Sequence, residues 1–448
     1  MANFISYDRG QALLLPHDLR EWVREDDLAH FIIEAVERVY IGAFKVNWQG
    51  TGKAQYHPRM MLALLIYCYA NGIFSSRRIE RATYRDVAVR FIAADTHPDH
   101  DTIATFRREN AEAFAAAFAQ VLLLARELKL LKLGMVSIDG TKIDANASKI
   151  RSVRYDRAKA LREQLDQDIA ELMARAEAAD AEDAPDPQAL PEEIGRRQAL
   201  RDKLDAACAR LEAEAAARAE EERPAYEEKK RAHAARGGRG RAPKEPDDTP
   251  PPDAQSNLTD PDSALMRKSK RHEYRQAYNA QAVVDADGSQ LVLTSGVSQS
   301  PSDAPTFEET IDRLCDKVGR PTTILGDGGY ASGEAVANLQ ARSIEVLVAV
   351  SRPEGERLYD FRPPKPDAKP PPEPKAEWRK AMKDMLQTEE ARAKYKLRKC
   401  TVEPVFGIIK NVLGFTRFHL RGIEKVEIEW CLVTLAYNCK RLHNLRAA

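Results

Sequence analysis

The feature that most restricts this chain is a change of hydrophobic period. Through the first 130 residues the apolar positions recur at helical spacing. Gly134 to Ile143 (GMVSIDGTKI) then supplies a short, β-branched run bounded by glycine, the pattern of a buried strand. The pattern resumes only at Tyr278 to Asp285 and Gln290 to Val297, parted by Ala286 to Ser289 (ADGS), whose Asp-Gly pair predicts a hairpin turn. Further strands are expected at Thr322 to Leu325 and Ile344 to Val350. Between them Ser332 to Ala341 reads as a helix, with Ser332 as cap and Glu334 in its first turn. Four strands, a helix, a strand and more helices predict an α/β fold with a mixed sheet, preceded by an all-helical domain.

In the helical part, Leu28 to Tyr40 carries apolar residues at helical spacing, and Pro58 opens a second run, Met60 to Tyr69. Ser75 and Ser76 can cap a short helix through Arg81, and Asp101 a longer one reaching about Leu128. Two segments interrupt the α/β part. Asp156 to Arg223 has the Ala, Glu, Leu, Arg and Lys content of long exposed or coiled helices, with Leu161, Leu165, Ile169 and Leu172 forming one packed stripe. Lys229 to Pro252, with Arg-Gly repeats and prolines, predicts a disordered linker, and Pro353 to Pro374 a solvated loop. The expected division is a helical N-terminal domain over 1–130, a catalytic domain over 131–150 and 256–448, a helical and disordered insertion over 151–255, and a Pro-rich loop over 353–376.

The 69 basic and 69 acidic residues cancel, so any hold on nucleic acid must come from local patches. Candidate DNA-reading helices are Ser75 to Arg90, with Arg77, Arg78, Arg81 and Arg85, and the helix from Asp101, with Thr102, Thr105, Arg107 and Arg108. Ordinary packing and solvated charge explain both equally well. Met266 to Arg275 (MRKSKRHEYR) and Arg417 to Arg421 (RFHLR) are basic stretches suited to phosphates, and the Arg-Gly segment to nonspecific affinity. Six scattered cysteines without a C-x-x-C pair read as reduced thiols. Met1 to Gly10 lacks the pattern of a secretory signal, and the longest apolar stretch, Met60 to Ala70, falls short of the ~20 residues that span a bilayer, so a cytoplasmic protein is expected.

Three carboxylates stand where these elements place chemistry. Asp139 lies on the first strand, where a charge needs compensation. Asp327 ends the fourth, before Gly328, Gly329 and Tyr330, and ligand sites gather at the carboxyl ends of strands. Glu403 reads as the start of a helix capped by Thr401, which tolerates Pro404 in its first turn. Three converging carboxylates can hold two hard cations roughly 4 Å apart for phosphodiester chemistry. On spacing alone, a turn cap at Asp327 and a surface residue at Glu403 stay open. Lys410, seven residues after Glu403, would project from the same helix face about 10 Å away, to hold a phosphate or simply face solvent.

Taken together, these segments resemble the DDE transposases of bacterial insertion sequences, over most of the chain. Residues 56–65 (YHPRMMLALL), 74–80 (FSSRRIE) and 98–107 (PDHDTIATFR) are similar to the family's N-terminal helical domain. Residues 137–148 (SIDGTKIDANAS) and 326–330 (GDGGY) resemble its first two catalytic blocks, 259–263 (TDPDS) and 278–282 (YNAQA) the blocks after the insert, and 395–410 (YKLRKCTVEPVFGIIK) its tyrosine, arginine, glutamate, lysine signature. The resemblance implies an RNase H-like catalytic fold and a metal triad of Asp139, Asp327 and Glu403 holding Mg2+, with Mn2+ as substitute. It also implies double-stranded DNA as substrate, both as terminal inverted repeats and as target, and a homodimer or higher multimer that pairs two ends. Lys410 matches the signature lysine. In register with Glu403, the usual spacing puts Lys396 and Lys399 where the tyrosine and arginine belong, with Tyr395 and Arg398 each one residue early. The competing readings are an RNase H-like nuclease or resolvase that cuts without joining, and a non-catalytic DNA-binding protein derived from a transposase.

Overall fold

The computed structural model describes residues 18–47, 49, 54–181, 189–237, 240–267, 272–316, 318–350, 374 and 376–447. The N-terminal part is helical: α1 (Leu19–Trp22), α2 (Leu28–Glu37), α3 (Pro58–Ala70), α4 (Ser76–Arg85), α5 (Val87–Ile92), α6 (His100–Glu109) and α7 (Ala111–Glu127). Pro58 occupies the first turn of α3, where a missing N–H costs nothing, and the helix behind it is buried almost all round. Two boundaries differ from expectation. Asp86 ends α4 and caps α5 through the Val89 amide, so Ser75 to Arg90 is two helices. Asp99, not Asp101, caps α6, accepting from Thr102 N at 2.6 Å. The run toward Leu128 breaks at Asn110, whose side chain accepts from Lys45 N and donates to Phe106 O.

The sheet is built from β1 (Met135–Asp144), β5 (Arg275–Asp285), β6 (Val292–Ser298), β7 (Thr323–Gly326) and β8 (Glu345–Val348). β5 runs antiparallel to β1 on one side and to β6 on the other, while β7 and β8 run parallel to β1 and to each other. The spatial order is therefore β6, β5, β1, β7, β8, with the short β4 (Ala264–Met266) sharing the outer edge of β5. Gly288, at φ +116°, makes the tight turn of the β5–β6 hairpin. The helices α10 (Phe307–Asp312), α11 (Gly333–Ala341), α12 (Glu377–Met385), α13 (Glu389–Gly407) and α14 (Ile423–Ala447) flank this sheet. The fold is the RNase H-like mixed α/β fold expected.

Helix α14 joins the two parts, lying between β6 and the helices α2, α3 and α7. Its Trp430, Leu432, Val433, Leu435, Ala436, Cys439 and Leu442 are all buried, and each large apolar side chain so covered contributes roughly 1.5–3 kcal/mol. Asn438 closes the outer strand, accepting from Val292 N and donating to Val292 O.

Between β1 and β5 the chain leaves the sheet. β2 (Ser152–Arg154) pairs with β3 (Gln255–Asn257), and between them α8 (Tyr155–Ala181) and α9 (Ala189–Ala235) form an antiparallel hairpin. The predicted stripe is its packed face: Leu165, Ile169 and Leu172 are buried, and Leu161 packs beside Leu165 in a small core with Val153, Leu204 and Cys208. Lys229 to Ala235, expected in a linker, continues α9. At 1.5 Å per residue α9 is about 70 Å long, so it outreaches α8. The loop expected at Pro353 to Pro374 falls outside the described residues, except Pro374. Cys68, Cys208, Cys315, Cys400, Cys431 and Cys439 are free thiols. Among the described residues no helix is long and apolar enough to cross a membrane.

Candidate active site

Asp139 and Asp327 meet because β1 and β7 are neighbouring parallel strands. Ser137 pairs with Leu325, and Asp327 keeps an extended backbone. Continuing the register by two residues sets Asp139 against Asp327 on one face, across strands about 4.8 Å apart. Asp139 accepts from Gly140 N at 2.8 Å, and Asp327 from Gly329 N at 2.7 Å. Burial, and next the charge of Asp327, push the Asp139 carboxyl up to about 7.

The third acid arrives on α13. This helix begins at Glu389, capped by Thr388, and runs through Pro404. The expectation that Thr401 caps a new helix at Glu403 is therefore corrected. Thr401 instead donates its hydroxyl back to Leu397 O. A proline in mid-helix strips one carbonyl of its partner. Here that is Cys400 O, and the Gln290 side chain donates to it at 2.8 Å.

Tyr395 and Arg398 face the acids although each is one residue early. The Tyr395 hydroxyl donates to Gly326 O at 3.0 Å, directly before Asp327. Arg398, nearly buried, places Nη1 3.5 Å from Asp139 Oδ2 and Nη2 3.1 Å from Glu403 Oε1. One planar guanidinium thus spans two of the three acids. Lys396 and Lys399 are exposed. Beyond Gly407 the helix widens into a π turn over Ile408–Val412, so ideal α spacing does not carry from Glu403 to Lys410. Lys410 Nζ donates to Thr141 Oγ1 at 2.6 Å and to Lys142 O at 2.9 Å, on the strand that bears Asp139.

Glu403 is half exposed, and among the described residues no group of three or more metal-ligating side chains is close enough to hold an ion. The donors nonetheless suit a hard divalent cation. All are carboxylate oxygens, and the burial and acidic neighbour that raise the Asp139 carboxyl are offset by a bound cation, which favours the charged form.

Sequence reasoning missed the other side of β1. There Asp303 accepts from Asn279 Nδ2 at 2.7 Å and Gln281 Nε2 at 2.9 Å, and lies 3.5 Å from Lys142 Nζ. Buried Tyr330 donates its hydroxyl to Gln281. The signals were adjacency in the motifs, where Lys142 follows Asp139 by three residues and Tyr330 follows Asp327 by three, and the place of Asn279 and Gln281 in the 278–282 block.

The helical part separates the six candidate arginines. Arg77 and Arg78 are exposed on α4 with Arg81 and Arg85, and Arg108 is exposed at the end of α6 beside Thr105. Arg107 is not on the surface. It is 5% exposed, and its Nη1 donates to Tyr69 Oη at 2.7 Å and Phe74 O at 3.0 Å, so the expectation that it contacts DNA is corrected. Tyr69 in turn meets Glu429 on α14 at 3.3 Å. In the RFHLR stretch, His419, itself exposed, meets the buried Glu429, and exposed Arg417 lies 3.9 Å from Asp144.

Two family models match the chain. The model for a transposase DDE domain covers residues 248–439, including Asp327 and Glu403, and a transposase domain model (DUF772) covers residues 17–109. The chain belongs to the insertion-sequence DDE transposases. The two matches flank β1 and the α8–α9 arm of the transposase, so Asp139 lies between them. No curated protein and no solved structure matches it. The family acts on DNA as nucleotidyl-transferases and endonucleases, and its members generally use divalent metal ions.

Proposed function

We propose that this transposase binds the terminal inverted repeats of its element and both cuts and joins DNA at Asp139, Asp327 and Glu403, in the cytoplasm. The observation that carries the reading is the meeting of three motifs. Asp139 and Asp327 stand in phase on adjacent strands, and Arg398, from the helix of Glu403, contacts both Asp139 and Glu403.

Asp139, Asp327 and Glu403 would hold Mg2+, or Mn2+ in its place. Two such cations activate an attacking oxygen and stabilise the leaving one. Arg398 must let go of at least one acid for Glu403 to join the site, and an incoming phosphate offers its guanidinium a matching bidentate partner. Tyr395 fixes α13 to the strand end before Asp327, and Lys410 lies beside β1 where it can take a second phosphate. In the first step a water oxygen attacks phosphorus at the element end and the 3′ oxygen leaves with a proton. In the second that 3′ hydroxyl attacks a target phosphodiester, losing its proton as the target's own 3′ oxygen departs.

The helical region 1–130 is assigned to end recognition, with the exposed face of α4 (Arg77, Arg78) and Arg108 toward DNA. A homodimer or higher multimer pairs the two ends. A basic stretch of the 151–255 insertion adds nonspecific affinity: residues 229–244 hold seven Lys or Arg and no acid. Asp139→Ala, Asp327→Ala and Glu403→Ala should each abolish cleavage and leave end binding intact. Cleavage at the wild-type rate by any of them would remove that residue from the site. A pre-cut end separates the transposase from a nuclease, because only the transposase joins it to target DNA.

A further inference from the structure

Asp303 belongs to neither acid-bearing motif, yet both make room for it. A methyl group on Gly140, next to Asp139, would come within 2.6 Å of Asp303 Oδ1, and within 2.5 Å of Gln281 Nε2. A methyl on Gly329, two residues past Asp327, would come within 2.8 Å of Asp327 Oδ1 and 3.0 Å of Asp303 Oδ2. The glycines of two separate catalytic blocks are therefore left bare around one carboxylate.

The register explains which way that carboxylate works. Gly140 and Lys142 pair with Gln281 and Asn279, so these four share one face of the sheet, while Asp139 and Thr141 share the other. Asp303 sits on the first face, fixed by the Asn279 and Gln281 amides, and draws the Lys142 ammonium to 3.5 Å. Lys142 and Asp303 are each about one-fifth exposed, so the pair is poorly screened. Asp139 and Asp327 are near enough to act electrostatically on Lys142 as well. Without Asp303, the nearest negative charges for this ammonium would be the two acids themselves.

We propose that Asp303 is a positioning residue of the transposase: it holds the Lys142 ammonium on the Gly140 face, away from the Asp139–Asp327 pair, and so keeps that pair open to a divalent cation. The inference rests on the assignment of Asp139 and Asp327 as the metal acids. In Asp303→Asn the two amides keep an acceptor of the same shape, but the anchor charge is gone. The ammonium then swings to the acids and competes with the metal.

The test is Mn2+ binding to the full-length protein, read by paramagnetic resonance of the free ion. Asp303→Asn should weaken binding by about tenfold, the scale of an outer partner's effect on a metal site. Asp303→Asn combined with Lys142→Gln should restore it to within about threefold of wild type, because the competing charge is absent. A role confined to folding would not be rescued by deleting a lysine. Wild-type Mn2+ affinity in Asp303→Asn overturns the proposal, as does a double variant no better than the single one. Asp139→Asn serves as the control: if it loses Mn2+ while Asp303→Asn does not, the positioning role alone fails. If Asp139→Asn keeps full Mn2+ affinity, the metal assignment fails and this inference with it.

Discussion

The side-chain amide of Gln290 donates to the carbonyl of Cys400, the one carbonyl that Pro404 leaves without a helical partner. Gln290 sits just past the β5–β6 turn, so a residue of the sheet completes the helix that carries Glu403. Gln290→Ala should cost about 1 kcal/mol, the usual net worth of such a bond. Pro404→Ala supplies the missing N–H, so Gln290→Ala should be nearly neutral in that background. Urea unfolding of the four proteins gives the coupling directly, and purely additive effects would show that the two residues do not share this carbonyl.

Arg107 and the α4 arginines should separate cleanly. Arg107→Ala leaves Tyr69 and Glu429 buried without their cation, and a loss of roughly 3–5 kcal/mol is expected on thermal or urea unfolding. Arg77→Ala with Arg78→Ala should leave the melting temperature unchanged. It should weaken end binding and make its salt dependence shallower by about two phosphate contacts. Salt titration of binding by fluorescence anisotropy distinguishes them, and an unchanged slope would move the DNA contact off α4.

The raised Asp139 carboxyl predicts a pH signature of the metal-free protein. With a folded value of about 7 against an ordinary 3.8, the native state holds a proton that the unfolded chain has released. Stability therefore falls as pH rises from about 4 to 7, and the full cost persists above. Asp327 and Asp303 add to this cost, while Arg398 and the Gly140 amide reduce it. Asp139→Asn should gain at most about 4 kcal/mol at pH 8 and almost nothing at pH 4. Urea unfolding with chelator across this range reads it, and a gain independent of pH would assign the effect to packing.

The arms of the Arg398 bridge make a further forecast. Arg398→Lys has one ammonium where two carboxylates need a fork, so it should lose contact with either Asp139 or Glu403. Cleavage should fall at least tenfold, and the deficit should not be recovered by raising the Mg2+ concentration. Full recovery with Mg2+ would mean that the guanidinium only blocks the acids.

The five longer sheet strands and the main helices were legible because burial imposes a period, and a period is written locally; the three-residue strands β2, β3 and β4 are too short to show one. Helix edges near the site were less so. Pro404 looks like a first-turn residue from its neighbours, because nothing local announces that Gln290, more than a hundred positions earlier, will serve Cys400. Arg107 was misread for a related reason: an arginine near the end of an amphipathic helix resembles a DNA contact until Tyr69 and Phe74 surround it. Asp303 left no trace at all, since its partners Lys142, Asn279 and Gln281 come together only in the folded sheet. Motif order identified the family, while tertiary contact alone revealed which neighbours of the motifs share its site.

The β2–β3 ladder has a consequence for the long arm. Ser152 and Asn257 are Cα partners, so the chain departs and returns at adjacent points. Everything between them is a closed detour whose length the sheet does not sense. Such an element can be lengthened, trimmed or exchanged as a cartridge, and its tip can acquire or shed charge, while the strand carrying Asp139 stays in register. The same doorway that lets a long helical hairpin out of the core thus lets the hairpin change without moving the strand that carries Asp139.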